Sequence, residues 1–336
     1  MTRHPIDTGQ WTARGLGSRR ALGDFKIDLL LIAVGLGLLV AGAELLVRCG
    51  ALVAARLGVS SLLIGLTVVA FGTSMPEVVA SSVAAIHGST GIAVGNVVGS
   101  NITNVLLVAG AAALVSPIAV GAASLRRDGA IALGTAGIFW VICWLQLLNA
   151  VTGLLLVTGL GLFIVLSYRT EKSAAAEPSA TTGDGRAQPI WLLVAGALAG
   201  LALLIGGGQL LVTSAIRLAS GLGVSEAVIG LTIVAVGTSL PELATTVLAA
   251  RRGEMGIAFG NVVGSNIFNV LGIGGLTAIL SRGDDVPARI IGFDLPVMLA
   301  ATALLMIAAA SGRRIGRLEG GALVAGFALY MGWVWL

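Results

Sequence analysis

Histidine and cysteine are almost missing from this chain, with two of each in 336 residues. Cys49 and Cys143 stand in separate apolar stretches with no metal-ligand spacing around them. A disulfide framework, a thiolate or imidazole metal centre and a His-assisted nucleophile are thereby excluded as the organising chemistry. Both cysteines read as small buried residues. Charge is also scarce: Asp, Glu, Lys and Arg together make up 11%, against about 25% in a soluble domain. No large soluble domain fits.

What fills the chain is apolar. Hydrophobic residues reach 57% and mean hydropathy is +1.00. Several apolar runs are long enough to cross roughly 30 Å of hydrocarbon, which takes about 18 residues or more of helix. The sequence therefore predicts an all-α polytopic membrane protein. Its net charge of +4 does not point to nucleic acid, because the arginines sit mostly between apolar runs, where membrane topology accounts for them.

Charged punctuation divides the chain into ten expected spans near 27–49, 60–86, 92–115, 128–149, 152–168, 190–214, 225–250, 257–281, 289–311 and 316–335. Residues 1–26 form a polar extension. Its Ser18-Arg19-Arg20 echoes a twin-arginine signal, but no small-residue cleavage site follows, so the next run reads as the first span. Residues 169–189, rich in Ala, Ser, Thr, Glu and Pro, cannot bury a core and read as a solvated linker. The domains are then 1–26, a five-helix repeat over 27–168, the linker over 169–189, and a second five-helix repeat over 190–336.

The repeat is explicit. Shifted by 165 residues, Ser60–Leu107 aligns without a gap on Ser225–Gly272, with 29 of 48 positions identical. Gly42, Leu45, Leu46 and Val47 fall on Gly207, Leu210, Leu211 and Val212. Five spans per copy force the second copy to enter from the opposite side, so the repeats are inverted. Arginine placement agrees. Loops after spans 1, 3, 5, 7 and 9, with the span ends that border them, carry twelve Lys or Arg, whereas the remaining loops and their span ends, with the C-terminus, carry three. By the positive-inside rule the odd loops and the linker are cytoplasmic and both termini outside. The five basic residues before the first span argue the other way, but the loop bias recurs across five loops.

Within this frame the second span of each copy is broken. Gly65–Glu77 reads G-L-T-V-V-A-F-G-T-S-M-P-E and Gly230–Glu242 reads G-L-T-I-V-A-V-G-T-S-L-P-E. A carboxylate at that depth is costly and marks function. Pro76 and Pro241 are expected to interrupt their helices, freeing the carbonyls of Gly72 and Gly237. Helical spacing aligns Ala70, Thr73, Ser74 and Glu77 on one face, and likewise Ala235, Thr238, Ser239 and Glu242. In the following span Asn96, Ser100 and Asn104 make one polar stripe, repeated by Asn261, Ser265 and Asn269. Gly95, Gly99, Gly260 and Gly264 are expected to let helices approach closely. The donors are all hard oxygens, which favours Ca²⁺ or Na⁺. Two facing carboxylates repel when empty, so Ca²⁺, sodium ions or protons must fill the site. Mutually exclusive filling of one carboxylate pair is a physical basis for antiport.

Other polar residues have plainer readings. Glu44 is expected to pair locally with Arg48, Asp294 to pair structurally, and His87 to be solvated at a span end. Trp191, Trp333 and Trp335 read as interfacial anchors. Ser81 and Ser82 read as packing or back-bonded residues, because Thr246 and Val247 do not preserve the pair. Asn101 and Asn266, one step off the stripe, remain open between packing and a part in the site.

The doubled G-T-S-x-P-E and G-N-V-V-G-S-N-I-x-N stretches resemble the two alpha-repeats of the cation/Ca²⁺ exchanger superfamily, with its prokaryotic sodium/calcium exchanger branch as the nearest match. The resemblance covers nearly the whole chain. It implies a rigid core of spans 2–5 and 7–10, with spans 1 and 6 lying across it and sliding to alternate access. Gly35, Gly37, Gly42 and Gly206 to Gly208 suit such a pair. It implies Glu77 and Glu242 as the principal Ca²⁺ ligands with Thr73 and Thr238. Flanking Na⁺ sites would use the carbonyls of Ala70 and Ala235 with Ser74, Ser239, Ser100 and Ser265. Asn104 and Asn269 hold the central position where some relatives carry an aspartate, which argues against potassium co-transport. The implied activity is Ca²⁺/Na⁺ antiport in a prokaryotic inner membrane, by a monomer in the lipid bilayer, with no cofactor. The alternative is Ca²⁺/H⁺ antiport on the same glutamates. A channel would lack obligatory exchange and usually builds its filter by oligomer symmetry.

Overall fold

The computed structural model describes residues 19–174, 188–222, 235–281 and 285–334. Most of the N-terminal extension, most of the linker, Trp335, and the first part of the second broken span lie outside the described residues. Helices occur at all ten expected span positions. In chain order they are α1 (Arg19–Leu57), the broken pair α2 (Ser61–Thr73) and α3 (Met75–Ile86), α4 (Thr90–Val115), α5 (Ala122–Trp144) and α6 (Ala150–Ala174). The second half holds α7 (Ile190–Gly221), α8 (Ala235–Gly237) and α9 (Leu240–Arg251), α10 (Met255–Leu280), α11 (Ile290–Gly312) and α12 (Arg317–Val334). Among the described residues six helices are long and apolar enough to cross a membrane alone, and α2–α3 makes a seventh if counted as one bent span. The α5 and α12 spans fall short of that test because α5 opens with Arg126, Arg127 and Asp128, and α12 with Arg317 and Glu319.

Burial separates centre from periphery. The apolar windows of α4 and α10 are 78% and 89% buried, whereas those of α1, α6, α7 and α11 lie between 22% and 33%. The two helices that follow the broken spans are thus the inner pair, and the outer helices carry exposed Leu, Val and Ile as a lipid-facing surface requires. Without a hydrophobic drive between helices in lipid, small residues and close backbone contact hold such a bundle. At the α2–α10 seam, a methyl on Gly260 or Gly264 would meet the Leu62–Leu66 backbone at 2.6–2.8 Å. The second-repeat counterpart of Leu62–Leu66, residues 227–231, lies outside the described residues, so the same expectation for Gly95 and Gly99 is not tested. Among the described residues Gly95 meets only Ile290, at 3.6 Å, and Gly99 meets nothing within 4 Å.

Among the described residues the α1–α7 seam is the most extensive helix contact. Gly35 faces Gly207 and Leu211, and Gly42 faces Gly200 and Leu204, so the helices run antiparallel. These glycines are repeat counterparts (35 with 200, 42 with 207) and contact each other crosswise, as a pseudo-twofold demands. Gly37 and Gly206, also expected in this seam, meet nothing within 4 Å among the described residues. One end is pinned by a 2.8 Å ion pair between Arg217 and the buried Asp28.

Loop contacts sort into two groups. Ile118–Ala119 (β1) pairs antiparallel with Arg314–Ile315 (β2), joining the loops after spans 3 and 9. Glu171 near the end of α6 bonds Ser60, the cap of α2, and Arg127 at the start of α5, which also holds the fully buried Asp128. In the other group Thr90 bonds Ser281, and Gln146 bonds both backbone groups of Val286, joining loops after spans 2, 4 and 8. Odd loops contact odd loops and even contact even, which is what ten alternating crossings produce. Cys49 and Cys143 are buried and free.

Candidate cation site

Each broken span loses its helix at the Thr-Ser pair, at Ser74 in the first copy and at Thr238–Ser239 in the second. Between α2 and α3 the bend is 48° at Ser74. The helices are interrupted beside Pro76 and Pro241, as expected. Both prolines occupy the first turn of α3 and α9, where a missing N–H costs nothing because first-turn donors have no intrahelical partner anyway. Glu77 and Glu242 then fall in that same first turn, where the positive end of the helix dipole and free backbone N–H groups favour an anion. The break therefore places a carboxylate inside the bundle and partly offsets its desolvation.

Both carboxylates are 1% exposed. Ser74 Oγ donates to Glu242 Oε1 at 2.9 Å, across the two repeats. Reciprocally, the Thr238 and Ser239 hydroxyls interact with the Glu77 carboxylate, though without a close, well-aligned hydrogen bond. Thr73 Oγ1 back-bonds to the Val69 carbonyl at 3.0 Å and reaches Asn261 Oδ1 at 3.2 Å. Thr238 is half-buried in the α8–α9 turn and Ala70 is fully buried. Ala235 opens α8.

The polar stripes of α4 and α10 work in two layers. Asn96 and Asn261 each clamp the glutamate backbone. Asn96 Nδ2 donates to the Glu77 carbonyl (3.3 Å) and Ser81 Oγ (2.8 Å), and Asn261 Nδ2 to the Glu242 carbonyl (3.3 Å) and Thr246 Oγ1 (2.8 Å). Ser81, read from the sequence as a packing or back-bonded residue because its counterpart Thr246 differs, therefore shares one role with Thr246: a hydroxyl that accepts the clamping amide. The signal was present, because Ser and Thr both supply that oxygen. Further along, Asn104 and Asn269 each head a π-helical segment, over Asn104–Ala109 and Asn269–Gly274. Such widened turns recur at functional sites because they shift side chains off the regular helical spacing.

Buried polar atoms in native proteins nearly always find a partner. Here nine buried oxygens without one come from α3, α4, the α8–α9 turn, α9 and α10. They are both oxygens of Glu77, one of Glu242, the hydroxyls of Ser239, Thr245 and Ser265, and the amide oxygens of Asn104, Asn266 and Asn269. Ser100 is also buried, beside Gly99 on the wall of a cavity of about 320 Å³ that includes Asp294 and Tyr330. Thr245 was missed in the sequence, since its first-repeat counterpart is Ala80 and the doubling that flags the other residues is absent.

Elsewhere Glu44 pairs with Arg252 at the end of α9, not with Arg48. Asp294 accepts from the Tyr330 hydroxyl at 3.0 Å, the structural pairing expected. His87, Trp191 and Trp333 are exposed.

The family model described as "Sodium/calcium exchanger protein" matches residues 27–169 and 192–336. A protein named CaxA from Alkalimonas amylolytica is 40% identical over 312 residues, spanning 90% of this chain and 97% of that protein. The sodium/calcium exchanger MaX1 of Methanosarcina acetivorans is 36% identical over 349 residues, spanning 91% and 97%. Among solved structures, the sodium-calcium exchanger NCX_Mj soaked with Na⁺ and Ca²⁺ superposes with a TM-score of 0.79 at 29% identity, covering 91% of this chain and 98% of that one. The ten-helix inverted-repeat fold is therefore shared with that structure, and this integral membrane chain belongs to the prokaryotic and archaeal branch of the sodium/calcium exchanger family.

Proposed function

We propose that this chain is a secondary active antiporter that exchanges Ca²⁺ for Na⁺ by alternating access, with Glu77 and Glu242 as shared cation ligands. The observation that carries the reading is the cluster of buried oxygens lacking a protein partner, three of them on the two carboxylates. Such oxygens are costly unless a cation or proton engages them. One Ca²⁺ balances two carboxylates, as do sodium ions or protons filling the same positions. Occupancy is competitive, so one ion leaves as another binds.

In this reading Thr73 and Thr238 complete the Ca²⁺ site with the glutamates. The Ala70 and Ala235 carbonyls, with Ser74, Ser239, Ser100 and Ser265, form flanking Na⁺ sites, and Asn104 and Asn269 stand between them. Each carboxylate meets the Thr-Ser pair of the opposite repeat, Glu242 with Thr73 and Ser74 and Glu77 with Thr238 and Ser239, which supports one shared site built from both halves. The α1–α7 pair moves against the rest of the bundle. The odd loops and the linker face the cytoplasm, the two repeats at 27–168 and 190–336 are the structural halves, and the monomer is the working unit. MaX1 and NCX_Mj, sodium/calcium exchangers by name, support Na⁺ as the counter-ion.

The test is Ca²⁺ uptake into vesicles holding the purified chain. An outward Na⁺ gradient, with the pH gradient collapsed, should drive uptake. Uptake that ignores Na⁺ across the pH range and follows a pH gradient would replace this reading with Ca²⁺/H⁺ antiport.

A further inference from the structure

We propose that Asn101 is a positioning residue that fixes the polarity of the Asn269 amide, turning its oxygen and not its NH₂ group toward the cation site. An asparagine at a cation site has a wrong end. Its Oδ1 can coordinate, whereas its Nδ2 carries two N–H groups that repel a cation and remove a ligand. A carboxylate at the same place has no wrong end. A chain with Asn on both inner helices at this position therefore needs something to set amide orientation.

The structure supplies it at one of the two positions. Asn269, fully buried, donates from Nδ2 to Asn101 Oδ1 at 3.2 Å, while its own Oδ1 is among the oxygens without a partner. Asn101 is 2% exposed and held in turn, with Asn266 Nδ2 donating to its backbone carbonyl at 3.4 Å. Its Nδ2 faces only the Met298 sulfur at 3.4 Å, a weak acceptor. Flipping Asn101 would set NH₂ against NH₂, so the orientations of the two amides are locked together. The repeat counterpart of this contact would run from Asn104 to Asn266 Oδ1, yet Asn266 Oδ1 has no partner. The device is one-sided, which is why the doubled motif does not reveal it in the sequence.

The inference rests on the exchange reading above and predicts a dependence that a merely structural asparagine would not show. Ca²⁺ binding to the detergent-solubilised full chain is measured by calorimetry for the wild type, Asn101→Ala, Asn269→Asp and the double variant. Asn101→Ala should weaken Ca²⁺ binding by about tenfold or more, the usual cost of losing a group that orients a ligand. In the Asn269→Asp background the same substitution should change affinity less than about twofold, because a carboxylate needs no orientation. Equal loss in both backgrounds, no loss in the Asn269 background, or failure of Asn269→Asp to bind Ca²⁺ would each overturn the proposal. Asn101→Leu keeps the volume, removes the acceptor and carries the same comparison if Asn101→Ala does not fold. A wild type that binds and exchanges neither ion would instead defeat the exchange reading itself.

Discussion

Gly42→Ala tests the α1–α7 seam against a control built into the same helix. A Cβ on Gly42 would lie 2.7 Å from both the Gly200 carbonyl oxygen and the Leu204 nitrogen, and 3.0 Å from Leu203 Cβ. The two nearest neighbours are backbone, so no rotamer change relieves them. Reaching ordinary contact at 3.4 Å requires α1 and α7 to part by roughly 0.7 Å along that direction, and overpacking of this kind costs about 1–3 kcal/mol. Alanine returns up to about 1 kcal/mol of helix propensity. The net expectation is a loss of about 0–2 kcal/mol in stability. Gly37→Ala, on the same helix with nothing within 4 Å, gains the propensity without the clash and should be neutral or stabilising. Thermal unfolding of the purified variants in one detergent gives the comparison, and Na⁺-driven Ca²⁺ uptake gives the functional consequence, which should fall for Gly42→Ala and not for Gly37→Ala. If the two variants unfold at the same temperature and exchange at the same rate, the seam does not depend on backbone contact and the reasoning is refuted.

Two further outcomes follow from the site. Ser74→Ala removes a 2.9 Å bond to a buried carboxylate; bonds to charged groups contribute about 1.5–3 kcal/mol, so the half-saturating Ca²⁺ concentration should shift by about tenfold or more, and an unchanged value would show that this contact is absent in the cation-binding state. Glu44→Gln breaks an ion pair whose side chains are 39% and 34% exposed; exposed pairs contribute about 0–1 kcal/mol, so Ca²⁺ half-saturation should stay within about twofold, and a large loss would place Glu44 on the cation path.

The sequence discloses most of the candidate site because each half repeats it. Glu77 and Glu242, the Thr-Ser pairs and the Asn stripes are visible twice, and apolar length with arginine bias orders the spans around them. What escapes has physical causes. Helical spacing says which residues share a face but not which face meets which neighbour, so Gly35, Gly42, Gly200 and Gly207 could not be told apart from Gly37 and Gly206. Glu44 has a basic residue one turn away, yet its partner Arg252 lies 208 positions along the chain. Periodicity assumes a regular helix, so the π-helical segments at Asn104 and Asn269 leave no trace in it, and a two-residue ladder such as β1–β2 is too short for an alternation signal. The break itself was legible in the Gly-Thr-Ser-x-Pro stretch; that the Thr-Ser turn ends one helix and Pro76 and Pro241 begin the next is local geometry that spacing does not give. Thr245 has no twin, because its counterpart is Ala80, and a reading that searches for doubled residues passes over it; Asn101 is doubled by Asn266, but its bond to Asn269 is not visible in the spacing.

The central claim is that one pair of carboxylates serves both ions, and the most direct test is Na⁺-driven Ca²⁺ uptake by Glu77→Gln and Glu242→Gln. Each variant keeps the side-chain shape and removes one of two buried charges, leaving a pair that no longer balances a divalent ion. Both proteins should remain folded and monodisperse, and both should lose Ca²⁺ uptake. Exchange at the wild-type rate by either variant would contradict the account.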